Sequence, residues 1–150
     1  MRTYLVVIDG SDEARVALRF AARRAAKTGG TVEILALVPP QEFVAWGGIQ
    51  KAMEEEARLH AEALVHAAAG EIIDDAGIHP TITVRQGAPV EVIKAVIAEH
   101  GEIAALVLGA SADSGPDPLV GHFAAAAGQM ACPLMVVPGG LTDEALDRLS

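Results

Sequence analysis

Cysteine is almost missing from these 150 residues: Cys132 stands alone, so no internal disulfide can form. A disulfide-built secreted scaffold is therefore excluded. Aromatic residues make up only 3% of the chain, with one Trp, one Tyr and three Phe, too few to stack the bases of a single strand. Basic residues are also scarce, 11 Lys and Arg against 20 Asp and Glu, and the net charge of −9 excludes a phosphate-binding nucleic-acid surface. No long apolar run exists. The N-terminal run in "MRTYLVVIDG" reaches Asp9 too soon for a signal-peptide core. The weakly polar stretch from Phe123 to Pro138 is broken by Gly128, Gln129 and Pro133, so it is not a membrane span. These absences lead to the expectation of a cytoplasmic protein without nucleic-acid or membrane partners.

What is present is aliphatic. Hydrophobic residues form 51% of the chain, and the length suits one domain over 1–150 with a single sizeable core. Five short runs read as strands: "YLVVI" (4–8), "TVEILALV" (31–38), "TITVR" (81–85), "AALVLG" (104–109) and "PLMVVP" (133–138). Helical spacing fills the intervals. Ala14, Ala17, Leu18, Ala21, Ala22 and Ala25 form one stripe, opened by Asp12 and Glu13 and closed by Arg23, Arg24 and Lys27 before Gly29-Gly30. A long second helix follows Gly48 and stops at Gly77. Pro89 opens a third, a fourth is expected between about Asp117 and Met130, and "TDEALDRL" forms a tail helix. Strands alternating with helices predict an α/β fold, an open parallel sheet with helices on both faces. Continuous apolar strands agree, because such strands are covered on both sides. The alternation of Ile82 and Val84 with polar neighbours suits a sheet edge.

In such a sheet a ligand sits beyond the carboxyl ends of the strands, where their order reverses. Asp9-Gly10-Ser11, Val38-Pro39-Pro40, Gln86-Gly87-Ala88 and Gly109-Ala110-Ser111 leave those ends. Three segments, "LVVIDGSDEARVALRFAARRA", "RQGAPVEVIKAVIAE" and "ALVLGASA…PLMVVPG", resemble the universal stress protein family. The resemblance covers nearly the whole chain. It implies five parallel strands in the order 3-2-1-4-5, a Rossmann-like sheet of the adenine nucleotide alpha hydrolase-like type, a cytoplasmic homodimer and, in some members, bound ATP. Two functions are then open: a stress-response or regulatory protein acting through protein contacts, with its nucleotide site weakened, or an ATP-binding switch with Mg²⁺ and slow hydrolysis.

Members that hold ATP carry an acid after strand one, matched by Asp9, and a valine closing strand two, matched by Val38. After strand four they carry G-x-x-G, nine residues and G-[ST]. Here Gly109 is followed by Ala112 at the second glycine, only eight residues precede Gly121, and His122 replaces the hydroxyl residue. Gly115 stands elsewhere in the loop as a partial substitute. The nucleotide-binding candidates are thus Val7, Ile8, Asp9, Gly10 and Ser11, then Val38, then Leu108 and Gly109, and finally Gly115, Gly121, His122 and Phe123. Two readings of the loop compete. In one, its glycines bring backbone N–H groups to phosphates at the start of helix four. In the other, Gly115-Pro116 is a turn, Asp117 an N-cap and Pro118 the first helical residue. A helix N-terminus favours an anion by about 0.3–1 kcal/mol. A like charge at about 4 Å opposes it by roughly 1 kcal/mol in water and roughly 4 at a partly buried site. Asp113 and Asp117 therefore weaken a phosphate site unless Mg²⁺ accompanies the ATP. Asp9 either faces an adenosine or begins helix one, and Ser11 is a helix-start residue.

No cofactor is required on this reading. His60 and His66 lie off one another's face and make no metal pair, His79 and His100 stand near turns without partners, and Cys132 is a buried apolar residue. Trp46 either closes over the crevice or packs on a second subunit. Neither a P-loop nor a G-x-G-x-x-G is present, and receiver-domain acid and lysine positions hold Gln86 and Pro138-Gly139. No nucleophile–base pair is visible, so no catalytic residue is assigned. The last strand is as apolar as a central one although the implied order puts it outermost. Leu134, Met135, Val136 and Val137 are accordingly the expected dimer contacts.

Overall fold

A computed structural model describes residues 1–39, 47–113 and 115–150, without the side chains of 47–50. The chain runs β1 (Thr3–Ile8), α1 (Asp12–Thr28), β2 (Thr31–Val38), α2 (Gly47–Ala76), β3 (Thr81–Gln86), α3 (Pro89–His100), β4 (Ile103–Ala110), α4 (Pro118–Ala125), a 3₁₀ turn (Ala127–Gln129), β5 (Leu134–Pro138) and α5 (Asp143–Leu149). All pairings are parallel, in the order β3-β2-β1-β4-β5. This is the Rossmann-like sheet that the sequence predicts.

Alternation along the strands divides the core in two. Tyr4, Val6 and Ile8 of β1 face the side covered by α1, α2 and α5, while Leu5 and Val7 face α3 and α4. Ser11 caps α1, its hydroxyl accepting from Ala14 N at 3.2 Å, and Gly29 closes the helix with φ +70°. The tail helix forms too, with Thr142 as N-cap and Leu146 buried.

Helix four is shorter than expected. It ends at Ala125, and a single 3₁₀ turn containing Gly128 replaces the stretch toward Met130. Only Phe123 of α4 is buried, so little packing sustains the helix beyond it. His100 also departs from expectation. Its Nε2 lies 2.9 Å from Oε2 of Glu33, a β2 carboxylate only 2% exposed, whose other oxygen accepts from Thr83 Oγ1 at 2.8 Å. These partners come from β2, β3 and the end of α3, far apart in the chain.

The outer row of α1 is basic and docks two acidic helices. Arg15 pairs with Glu71, Arg19 with Asp143 at 3.0 Å, and Lys27 with Asp147. Arg23 holds Asp75 through two bonds of 3.0 Å. That hydrogen-bonded guanidinium holds the Asp75 carboxyl below the usual carboxylate range. A depressed folded-state pKa stabilises above the unfolded value, and that stability disappears as pH falls through the folded one. As pH falls below about 4, the native protein should lose unfolding free energy more steeply than Asp75→Asn, whose position 75 has no proton to gain. Denaturant melts at stepped pH measure the two slopes; equal slopes would show that the pair contributes nothing.

Candidate functional site

The crevice follows from the topology. β1 and β4 are neighbours, yet the chain leaves β1 for α1 on one face and β4 for α4 on the other. Between the diverging ends lies a hollow of about 160 Å³. Val7 and Leu108 supply its floor. Asp9, Ser11 and Glu13 form one wall, and Asp117 to Val120 form the other.

Asp9 and Ser11 are locked together. Asp9 Oδ1 accepts from Ser11 N at 3.0 Å and from Ser11 Oγ at 2.5 Å, across Gly10 in the left-handed region at φ +85°. Asp9 thus supports the cap of α1 while lining the crevice, so the two readings of this residue are compatible. Ser11 is the N-cap that its position predicts.

Asp117 occupies the N-cap position of α4 but makes no side-chain bond to that helix. Pro118, which has no N–H, follows it. The carboxylate turns back across the loop instead, and Oδ2 accepts from Ser111 N at 3.1 Å. Asp113 N is likewise satisfied, by Ser111 Oγ at 3.2 Å. Two loop N–H groups are therefore already engaged by the chain's own oxygens.

The remaining candidates disperse. Gly109 lines the crevice, but a Cβ there would overlap the Glu13 carbonyl, so close passage of α1 over β4 already demands glycine. Gly115 is exposed, with open space around it. Gly121 lies within α4, which Pro118 begins as in the turn-and-cap reading of the loop, and the Gly121 N–H donates to Asp117 O at 2.8 Å. His122 is exposed and meets the Phe123 ring edge-on at 5.2 Å. Phe123 is not at the crevice; it is buried among the side chains beneath α3 and α4. Val38 is buried on the α1–α2 side, and its carbonyl accepts from Gly87 N at 3.1 Å. Ile8 and Gly10 line a separate hollow of about 150 Å³ between α1 and α2. Trp46 lies outside the described residues.

Glu13, Leu119 and Val120 also line the crevice, and no sequence motif marks them. Glu13 had a sufficient role at the start of α1, and no sequence feature sets Leu119 and Val120 apart from ordinary apolar residues of the helix that Pro118 begins. Among the described residues, no group of three or more His, Cys, Asp or Glu side chains is placed to hold a metal ion, and no helix is long and apolar enough to cross a membrane. At the sheet's edge, β5 bonds to β4 on one side only among the described residues. Val137 is buried, Leu134 and Met135 are half-buried, and Val136 is 39% exposed.

The sequence profile of the universal stress protein family matches residues 1–138. The chain belongs to this family. Solved structures of family members share its fold at low identity. Universal stress protein UspA from Lactobacillus plantarum is 18% identical with a TM-score of 0.74, covering 91% of this chain and 97% of its own. A universal stress protein from Archaeoglobus fulgidus in complex with dAMP is 21% identical with a TM-score of 0.58, covering 91% and 97%. A family protein from Arabidopsis thaliana with AMP bound is 16% identical with a TM-score of 0.59, covering 92% of each chain. A search of curated proteins finds no match.

Proposed function

We propose that this chain is a single-domain, homodimeric regulatory module of the cytoplasm, acting in stress responses through protein contacts, with a nucleotide site weakened for ATP. One observation carries the reading of the site: the Asp117 carboxylate rests on the Ser111 N–H, where a loop of this kind would offer its donor to a phosphate. An incoming phosphate must displace that carboxylate and then remain beside it. Asp9 and Glu13 add charge of the same sign, and no Lys, Arg or His lines the crevice among the described residues.

The dimer reading rests on β5. Its outer edge is unpaired among the described residues, its residues 134–138 carry no charge, and on a chain of net charge −9 that is where a second copy meets least repulsion. A two-fold pairing of β5 with β5 covers both edges.

The second reading, an ATP-binding switch that takes its nucleotide with Mg²⁺, is favoured by the AMP and dAMP named in two relatives' structures. Calorimetry with ATP, with and without Mg²⁺, separates the two. Weakened binding predicts a Kd above about 0.1 mM in both titrations. A micromolar Kd with Mg²⁺ would establish the switch instead. Sedimentation should give a dimer at micromolar concentration and a monomer for Val136→Asp; a monomeric native protein would end the dimer reading.

A further inference from the structure

We infer that the crevice between β1 and β4 selects an uncharged purine nucleoside over its phosphorylated forms, with Asp117 as the residue that sets this preference. The inference rests on reading the crevice as the family's adenine-nucleotide place, and asks what this chain's own lining can hold there.

Size comes first. Drug-sized ligands occupy pockets of roughly 300–1,000 Å³, whereas a closed cavity of about 150 Å³ holds a benzene ring. At about 160 Å³ the crevice accommodates one ring system, with anything attached to it left at the mouth. Its apolar surface suits such a ring. Val7 and Leu108 lie beneath, and Leu119 and Val120 stand along one side.

Hydrogen-bonding character decides the rest. The polar lining consists chiefly of acceptors, because ionised Asp9, Glu13 and Asp117 accept and cannot donate. The serine donors beside it are already engaged, whereas the first-turn N–H groups of α4 at Leu119 and Val120 have no capping side chain. Ser11 gives both its N–H and its O–H to Asp9, and Ser111 N–H goes to Asp117. A nucleoside brings donors of its own in its exocyclic amine and ribose hydroxyls. A phosphate brings only further acceptors and negative charge. The lining therefore complements the nucleoside and opposes each phosphate added to it.

Adenosine, AMP and ATP, titrated separately into the native protein without divalent ions, should bind in that order of decreasing affinity. Each step should be about tenfold or more, the effect of one like charge at a partly solvated site. In methyl NMR spectra, adenosine should shift Val7, Leu108, Leu119 and Val120. Asp117→Asn should raise the ratio of ATP to adenosine affinity about tenfold. Because both ligands are measured on the same variant, a general loss of structure cannot imitate a change in that ratio. AMP or ATP binding as tightly as adenosine, or an unchanged ratio in Asp117→Asn, would overturn the inference. Failure of all three ligands to bind would overturn it too, while leaving the weakened-site reading intact. Micromolar ATP binding would end both. Adenosine bound in the expected order by a monomeric protein would support the inference and end only the dimer reading.

Discussion

Phe123→Ala should lower the free energy of unfolding by about 3–5 kcal/mol, the usual cost of emptying a buried aromatic site. For a chain of this length that is a fall in Tm of about 6–20 °C. Phe123 follows the family motif and is a nucleotide-binding candidate by sequence, but the structure puts its ring 1% exposed in the apolar layer under α3 and α4. α4 is only eight residues long, has no side-chain N-cap bond and buries no other residue. The ring is therefore its principal anchor, and removing it frees the helix as well as opening a cavity. His122 provides the contrast. It is exposed, so His122→Ala should change stability by less than about 0.5 kcal/mol. Chemical denaturation of ligand-free protein distinguishes the two positions. If Phe123→Ala kept native stability and only weakened ligand binding, Phe123 would be a ligand contact and its place in the core would be wrong.

The apolar pattern of the strands could be read in advance. Runs such as "YLVVI" and "AALVLG" are apolar at successive positions because both sheet faces are covered, and that pattern survives without any knowledge of partners. Caps are equally local: Ser11 and Thr142 bond to amides three residues ahead. The strand order followed from the resemblance to the family. What stayed hidden depends on contacts between distant segments. Glu33 looks like the one charged position in an apolar strand until Thr83 and His100 are brought to it from β3 and α3. The position of Asp117 was legible, but not its bond to Ser111 N, because the N-cap position normally directs that oxygen into its own helix. The two readings of the loop differ on Gly121: the motif count makes it a loop residue, whereas Pro118 as the first helical residue, which the structure follows, puts it inside α4.

Gly109→Ala should destabilise the ligand-free protein by about 1–3 kcal/mol, and Gly109→Val by more, as overpacking against a backbone that cannot yield cheaply does. Glycine after strand four is ordinarily explained by a phosphate that must approach the main chain. Here the first turn of α1 already fills that space: an added Cβ would overlap the carbonyl of Glu13 and come within 3.0 Å of Ala14 N. α1 would have to lift from β4, carrying Ser11, Glu13 and Ala14 away from the crevice they help to line. Gly115 meets no such constraint, with open space around its Cα and no left-handed φ. Gly115→Ala should therefore be neutral within about 0.5 kcal/mol, or stabilise by about 0.4–1 kcal/mol through a less flexible unfolded chain. Denaturant unfolding of both variants without nucleotide measures the difference. Should Gly109→Ala prove as stable as the native protein, helix packing would not explain this glycine, and the explanation would return to a ligand. A destabilised Gly109→Ala beside an unaffected Gly115→Ala would mean that Gly109 persists because α1 must cross β4 closely, whether or not anything occupies the crevice.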